Sequence, residues 1–173
     1  MPSREQILQL LNDELTPAVF PDASLNGLQV AGRESISTVA VAVDAAEETI
    51  NRAAAAGADL LLVHHGLFWG EPIAVTGAHR RRLAALLEAN LNLYVAHLPL
   101  DAHPRHGNNA CLARVIQMEN YRSAFDYRGQ PIGCLGANSA GLTVAEIEEE
   151  LKKLPGSAPT FLSLRFGPET PQR

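Results

Sequence analysis

Three apolar runs constrain this chain more than anything else in it, because each ends in a side chain that does chemistry. VAVAVD (Val39 to Asp44), LLLVHH (Leu60 to His65) and LYVAH (Leu93 to His97) are short, rich in branched and aliphatic residues, and apolar at successive positions. Runs of this length that are apolar on both faces read as buried strands of a parallel sheet. Helical patterns separate them. Glu47 to Ala56 is closed by Gly57, and a further helix starting near Thr76 carries Leu83, Leu86 and Leu87 on one face behind Arg80, Arg81 and Arg82. The order strand-helix-strand-helix-strand predicts an α/β fold with a mostly parallel sheet and flanking helices, βαβαβ.

The flanks are read the same way. Ser3 and Gln6 form a capping box for a helix over Arg4 to Leu15, ended by Pro17. Asn26-Gly27 is a turn ahead of the short apolar stretch Leu28-Gln29-Val30. Beyond His97 the pattern predicts a helix over Asn108 to Ile116. A glycine-rich, weakly patterned stretch follows from Tyr121 to Gly141 and reads as a boundary or connection. Thr143 and Glu146 cap a helix to about Leu154, stopped by Pro155-Gly156, and Thr160 to Phe166 reads as a last strand. The expected division is a metal-binding α/β lobe over 1–125 and a partial second α/β lobe over 126–173.

Composition excludes several classes. A net charge of −5 argues against broad contact with nucleic acid or an anionic membrane surface. Two cysteines without C-x-x-C spacing indicate no disulfide framework, which suits a reducing cytosol. The amphipathic N-terminus lacks a basic n-region and an apolar h-region, and no apolar run is long enough to span a membrane. The expectation is a cytoplasmic protein. There is no Walker loop, G-x-G-x-x-G or G-x-S-x-G, and neither cysteine has a nucleophile's context.

In open α/β sheets, ligands gather outside the carboxyl ends of parallel strands. That rule brings Asp44, His64, His65 and His97 to one rim although they are far apart in sequence, with Asp101 following His97. Imidazole and carboxylate are the usual ligands of zinc, iron, manganese or nickel. His64 and His65 are adjacent, so on a regular strand they would point to opposite faces. They can share a site only at the strand exit, where Gly66 permits a turn, or they serve one ion each with Asp101 bridging. Asp44 is read equally as a helix N-cap or a site residue. Asn26 is a turn residue first and a ligand contact second. His103 and His106 lie in a Pro/Gly loop, solvated or backing the site. His79 reads as an exposed helix histidine. Phe68 and Trp69 read as core cover, although an aromatic there could stack on a planar base. The three arginines read as a solvated face.

The words NGLQVAG (Asn26 to Gly32), GADLLLVHHGLFW (Gly57 to Trp69), NLYVAHLPLDAHPRHGNNA (Asn92 to Ala110) and GPETPQR near the end occur here in order. On them the chain strongly resembles the NIF-three-like proteins, also called GTP cyclohydrolase type 2-like or dinuclear metal centre proteins, of the bacterial YbgI-type branch. The resemblance implies a two-lobed α/β fold assembled as a toroidal homohexamer, with two divalent metal ions per subunit. It makes His64, His65 and Asp101 metal ligands and His97 a site-lining acid–base group. Asn26, Asp44 and His103 are the candidates for substrate-binding or supporting roles. It implies a small-molecule partner, GTP or another nucleotide, and a metal-dependent hydrolase whose water attacks the guanine imidazole ring. The family's further ligands, from an H-x-x-x-E motif, have no match here, so the chain is expected to be C-terminally truncated relative to the family. Two alternatives stay open on that ground: a non-catalytic metal-binding or regulatory ring protein, and an inactive truncated remnant.

Overall fold

A computed structural model describes residues 1–155 and 161–172. The chain forms two compact units, Met1–Leu100 and Asp101–Arg173. The first is a four-stranded mixed sheet in the order β1-β4-β3-β2, from β1 (Gly27–Val30), β2 (Val39–Asp44), β3 (Leu60–His65) and β4 (Asn92–Val95). β2, β3 and β4 are parallel, and β1 joins β4 antiparallel, Gly27 opposite Val95. The crossovers are helices α2 (Glu47–Ala55) and α3 (Gly77–Glu88). This is the expected mostly parallel α/β architecture.

The sheet is covered from both sides. Leu61, Val63, Leu93 and Val95 pack with Ile50 and Ala53 of α2 and Leu86 of α3. The alternate residues Leu60, Tyr94 and Ala96 pack with Ile36 and with Leu15 of helix α1 (Arg4–Leu15). Period-two alternation sends each strand's side chains into two separate cores. α1 starts at the expected capping box: Ser3 Oγ accepts from Gln6 N, and Gln6 Oε1 accepts from Ser3 N.

One expectation about this sheet fails. β2 lies at an edge, and its valines are exposed rather than buried, Val41 at 74%. Only its alternate residues Ala40 and Ala42 pack into a core.

A polar clasp closes the base of the sheet. Asn92 is fully buried; its Oδ1 accepts from Gly32 N at 2.8 Å, and its Nδ2 donates to Arg33 O and Asp59 O at 2.9 and 2.8 Å. The Asp59 carboxylate accepts from Ser37 N, Thr38 N and the Arg33 guanidinium. The Ser37 N–H, the guanidinium and the Thr38 N–H outweigh the effect of burial and hold the Asp59 carboxyl down at about 2.

The short helix α4 (Leu98–Ala102) leads from the first unit into the second, which holds α5 (Asn108–Val115), a hairpin of β5 (Glu119–Tyr127) and β6 (Gln130–Ala137), and α6 (Val144–Lys152). The glycine-rich stretch over Tyr121 to Gly141, read as a boundary or connection, holds most of this hairpin, and the compact units meet between Leu100 and Asp101. Its tip is Arg128-Gly129, with φ of 52° and 88°, the two left-handed positions of a tight two-residue hairpin turn. Residues 161–166, read as a last strand, form none; Ser163 and Arg165 instead bond the Glu148 carboxylate through their side chains. Thr160, and the Gly156 of the expected helix stop, lie outside the described residues. No helix among the described residues is long and apolar enough to cross a membrane.

Candidate metal centre

The site forms where the parallel strands run out unequally. β3 pairs with β4 as far as Val63 opposite Val95, then continues beside β2 to Asp44 opposite His65. His64 and His65 therefore project past the end of β4, released from the regular pleat on that side. Their ring centroids lie 4.6 Å apart rather than on opposite faces of the sheet. His97, two residues beyond β4, sits 4.8 Å from the His64 ring and 5.6 Å from that of His65. One nitrogen from each of the three histidines falls within 4.8 Å of the others, and all three rings are half-buried.

Each Nδ1 has an acceptor. His64 Nδ1 lies 2.9 Å from Ala96 O, His65 Nδ1 2.7 Å from Asp44 Oδ1, and His97 Nδ1 3.0 Å from both oxygens of Asp22. A carbonyl or a carboxylate can only accept, so each Nδ1 is a donor, and in the neutral ring the lone pair is then on Nε2. Histidines that ligate metals are oriented in just this way, by a carbonyl or carboxylate behind the ring. Neutral imidazoles with fixed lone pairs suit zinc, iron, manganese or nickel; magnesium and calcium prefer oxygen shells. The donor set fits a divalent transition metal.

Gly66 contributes space rather than a left-handed turn. A Cβ there would lie 2.4 Å from Val95 Cγ2 and 2.5 Å from Gln29 Oε1. Gln29 fixes the segment that follows: its Oε1 accepts from Leu67 N at 2.7 Å, and its Nε2 donates to Leu25 O at 2.7 Å. Trp69 pairs with Ser24 in an isolated bridge, donates Nε1–H to Gly66 O, and sets its ring edge-on to His97 at 4.9 Å. It lies on the histidine cluster's rim, while Phe68 is the aromatic that packs against the core.

Asp44 does not cap α2, whose N-cap is Ala46 without a side-chain bond. Its carboxylate bonds His65, and with 62% of that side chain exposed the contact is open to water. Asn26 Oδ1 accepts from His97 N at 2.7 Å, and its Nδ2 donates to Asp22 at 2.8 Å. Asp101 and His103 belong to the second unit. There the Asp101 carboxylate accepts from Asn108 Nδ2 at 2.8 Å, and His103 Nδ1 accepts from the backbone N–H groups of Arg105 and His106. His79, read as exposed, is buried against Phe68, edge-on at 5.4 Å. The neighbouring arginines suggested a wet face, but the helix turns His79 inward.

The residue that sequence reading missed is Asp22. Its side chain is 3% exposed. It accepts from Ser24 N, Asn26 Nδ2, Leu98 N and His97 Nδ1. Burial alone would raise its pKa; the bonds from Asn26, Ser24, His97 and Leu98 outweigh burial and hold it below the ordinary carboxylate range. The signal available was Asp22-Ala23-Ser24, an aspartate able to bond its own backbone two residues on.

A family model described as Duf34/NIF3 (NGG1p interacting factor 3) matches residues 2–169. A Deinococcus radiodurans protein named GTP cyclohydrolase 1 type 2 homolog is 44% identical over 153 residues, 88% of this chain and 58% of that protein. A Pyrococcus abyssi protein of the same name is 46% identical over 133 residues, 77% of this chain and 53% of its own length. The crystal structure of TTHA1606 from Thermus thermophilus superposes with a TM-score of 0.81 at 38% identity, over 90% of this chain and 62% of that one. The chain thus spans little more than half the length of the curated relatives it matches.

Proposed function

The chain belongs to the Duf34/NIF3 family, and from that premise we propose that it is a metal-dependent hydrolase of the GTP cyclohydrolase type 2 kind. The observation that carries the reading is the convergence of three imidazole nitrogens within 4.8 Å, each ring fixed from behind through Nδ1. His64, His65 and Asp101 are the proposed ligands of two divalent ions, with zinc, iron, manganese and nickel as candidates. When bound, such ions supply a water acidified enough to attack the guanine imidazole ring at neutral pH. This chain's residues do the rest. Ala96 O and Asp44 hold His64 and His65 in the tautomer that presents Nε2. His97, with its Nδ1 proton held, has Nε2 as the atom through which it takes up or returns a proton. Trp69 walls one side of the cluster against water. The relatives' names point to a nucleotide as the small-molecule partner, and assembly into a homohexamer is proposed on the family resemblance.

The test measures two quantities on one preparation. Elemental analysis gives metal per chain, and incubation of the metal-loaded protein with GTP gives formate and a pterin product. We expect bound metal that is lost in His65→Ala and formate release absent from that variant. No formate above the His65→Ala background overturns the hydrolase reading. Stoichiometric metal without formate establishes the alternative, a metal-binding protein without catalysis. Light scattering on the same sample reads the assembly state, and a monomer overturns the hexamer.

A further inference from the structure

We infer that Asp22 is a positioning residue for the metal centre: together with Asn26 it locks His97 as the Nδ1–H tautomer and turns Nε2 toward the point that His64 and His65 also face. The inference rests on the reading of the histidine cluster as a metal centre and goes beyond it by assigning a role to a segment 75 residues upstream of His97.

Three features carry it. The first is the completeness of the bracket. Asn26 Oδ1 holds the His97 backbone N–H at 2.7 Å, and the Asp22 carboxylate holds the His97 ring through both oxygens at 3.0 Å. Main chain and side chain of one histidine are thus fixed by two residues that also bond each other, Asn26 Nδ2 to Asp22 Oδ2 at 2.8 Å. The second is that the carboxylate cannot turn away. Ser24 N bonds Oδ1 at 2.9 Å, Leu98 N bonds Oδ2 at 3.1 Å, and the side chain is 3% exposed. Every group around it is a donor, so a carboxylate fits and an amide does not: an Asn side chain would set its own N–H groups against some of these donors. The third is the contrast with Asp44, which contacts His65 in the same manner at 2.7 Å but is 62% exposed. Water can replace Asp44 behind its ring; it cannot replace Asp22. In the protein without nucleotide no proton transfer engages His97, and its Nε2 joins those of His64 and His65 as a third imidazole donor to zinc; carboxylates behind such donor histidines change metal affinity about 10–100-fold when removed.

Asp22 also bonds the first N–H of α4 (Leu98), so a purely structural role must be separated from a positioning one. The experiment uses the full chain without nucleotide. Long-range nitrogen–proton spectra of the metal-free wild type read the tautomer of each histidine. Calorimetric titration with zinc reads affinity for the wild type, Asp22→Asn and Asp44→Asn. We expect His97 as the Nδ1–H tautomer in the wild type and a mixture of tautomers in Asp22→Asn. Zinc affinity should fall about 10–100-fold in Asp22→Asn and by a smaller factor in Asp44→Asn. Wild-type affinity in a folded Asp22→Asn protein, with His97 unchanged, overturns the inference and leaves Asp22 as a support for α4. If Asp22→Asn does not fold, the wild-type spectrum decides: His97 as the Nε2–H tautomer overturns the inference without any variant. A failure of GTP turnover touches none of these readings.

Discussion

The two units of this protein are built to different standards. Ile50, Leu86, Leu91, Leu93, Val63, Tyr94 and Val95 in the first are at 0% exposure, whereas Ala110 and Ala113 are the buried apolar side chains of the second among the described residues. In the second unit, Phe125 on the hairpin is 64% exposed and Leu112 on α5 is 42% exposed. The three histidines stand on the closely packed unit; Asp101, the proposed carboxylate ligand, begins the loosely packed one. A metal site needs donors held to within about 0.5 Å, and packing is what holds them. The difference teaches where the precision of this site comes from: the imidazoles owe theirs to a two-sided core.

That contrast can be broken experimentally. Its largest expected expression is Leu93→Ala, which empties a fully enclosed position between the two helices and the sheet. It should cost about 2–5 kcal/mol and abolish metal retention along with the cooperative melt. Leu112→Ala, in the second unit, should leave the main transition and the metal content close to wild type. Equal losses in a thermal melt of the two variants would dissolve the comparison. Next in size is Asn92→Ala, which strands Gly32 N–H and the Arg33 and Asp59 carbonyls. Leaving a buried partner unsatisfied costs about 1–3 kcal/mol, read as a lowered denaturant midpoint. Gly66→Ala comes third. Its methyl overlaps Val95 and the Gln29 amide, and overpacking costs about 1–3 kcal/mol. Because the displaced groups fix the loop after His65, zinc affinity should fall more than stability does; unchanged affinity would show that the histidines do not depend on this packing.

The smallest effect is a pH dependence. Asp59 and Glu148, one in each unit, are held at about 2, against ordinary values of 3.8 and 4.5. Both are lowered, so each contributes stability that is complete above its ordinary value and is lost as pH falls toward about 2. Asp59→Asn should flatten the acid limb of the main unfolding transition between about pH 4 and 2, because Asp59 ties Ser37, Thr38 and Arg33 into the cooperative unit. Glu148→Gln should leave that limb alone, since among the described residues Glu148 bonds the irregular segment at Ser163 and Arg165 rather than the four-stranded sheet. Melting temperatures at stepped pH distinguish the two.

Much of the first unit was legible because its signals are local. LLLVHH is short, apolar and bounded by Gly57 and Gly66, which favours a strand over a helix, and the strand-end rule then gathers His64, His65 and His97. Asp22 was not legible for the opposite reason. Its place beside His97 depends on β1 pairing antiparallel with β4, Gly27 opposite Val95, a long-range choice that the short stretch Leu28-Gln29-Val30 does not announce. The hairpin was hidden by its turn. Asn or Asp before glycine would have marked it; Arg128 takes the left-handed position instead, at φ 52°. His79 was misread because its neighbours in sequence are arginines, while its neighbour in space is Phe68. The exposed valines of β2 show the same limit: alternation identifies a strand, but only topology says that it lies at an edge.

Trp69 has a use beyond walling the site. It is the chain's one tryptophan, and its indole sits 4.9 Å from the His97 ring and 5.9 Å from that of His65. Nearly all the long-wavelength ultraviolet emission of this protein therefore arises from a chromophore touching two of the three histidines. The molecule carries its own optical gauge of the centre, and any proton, cation or flat ligand that settles there changes a signal that needs no label.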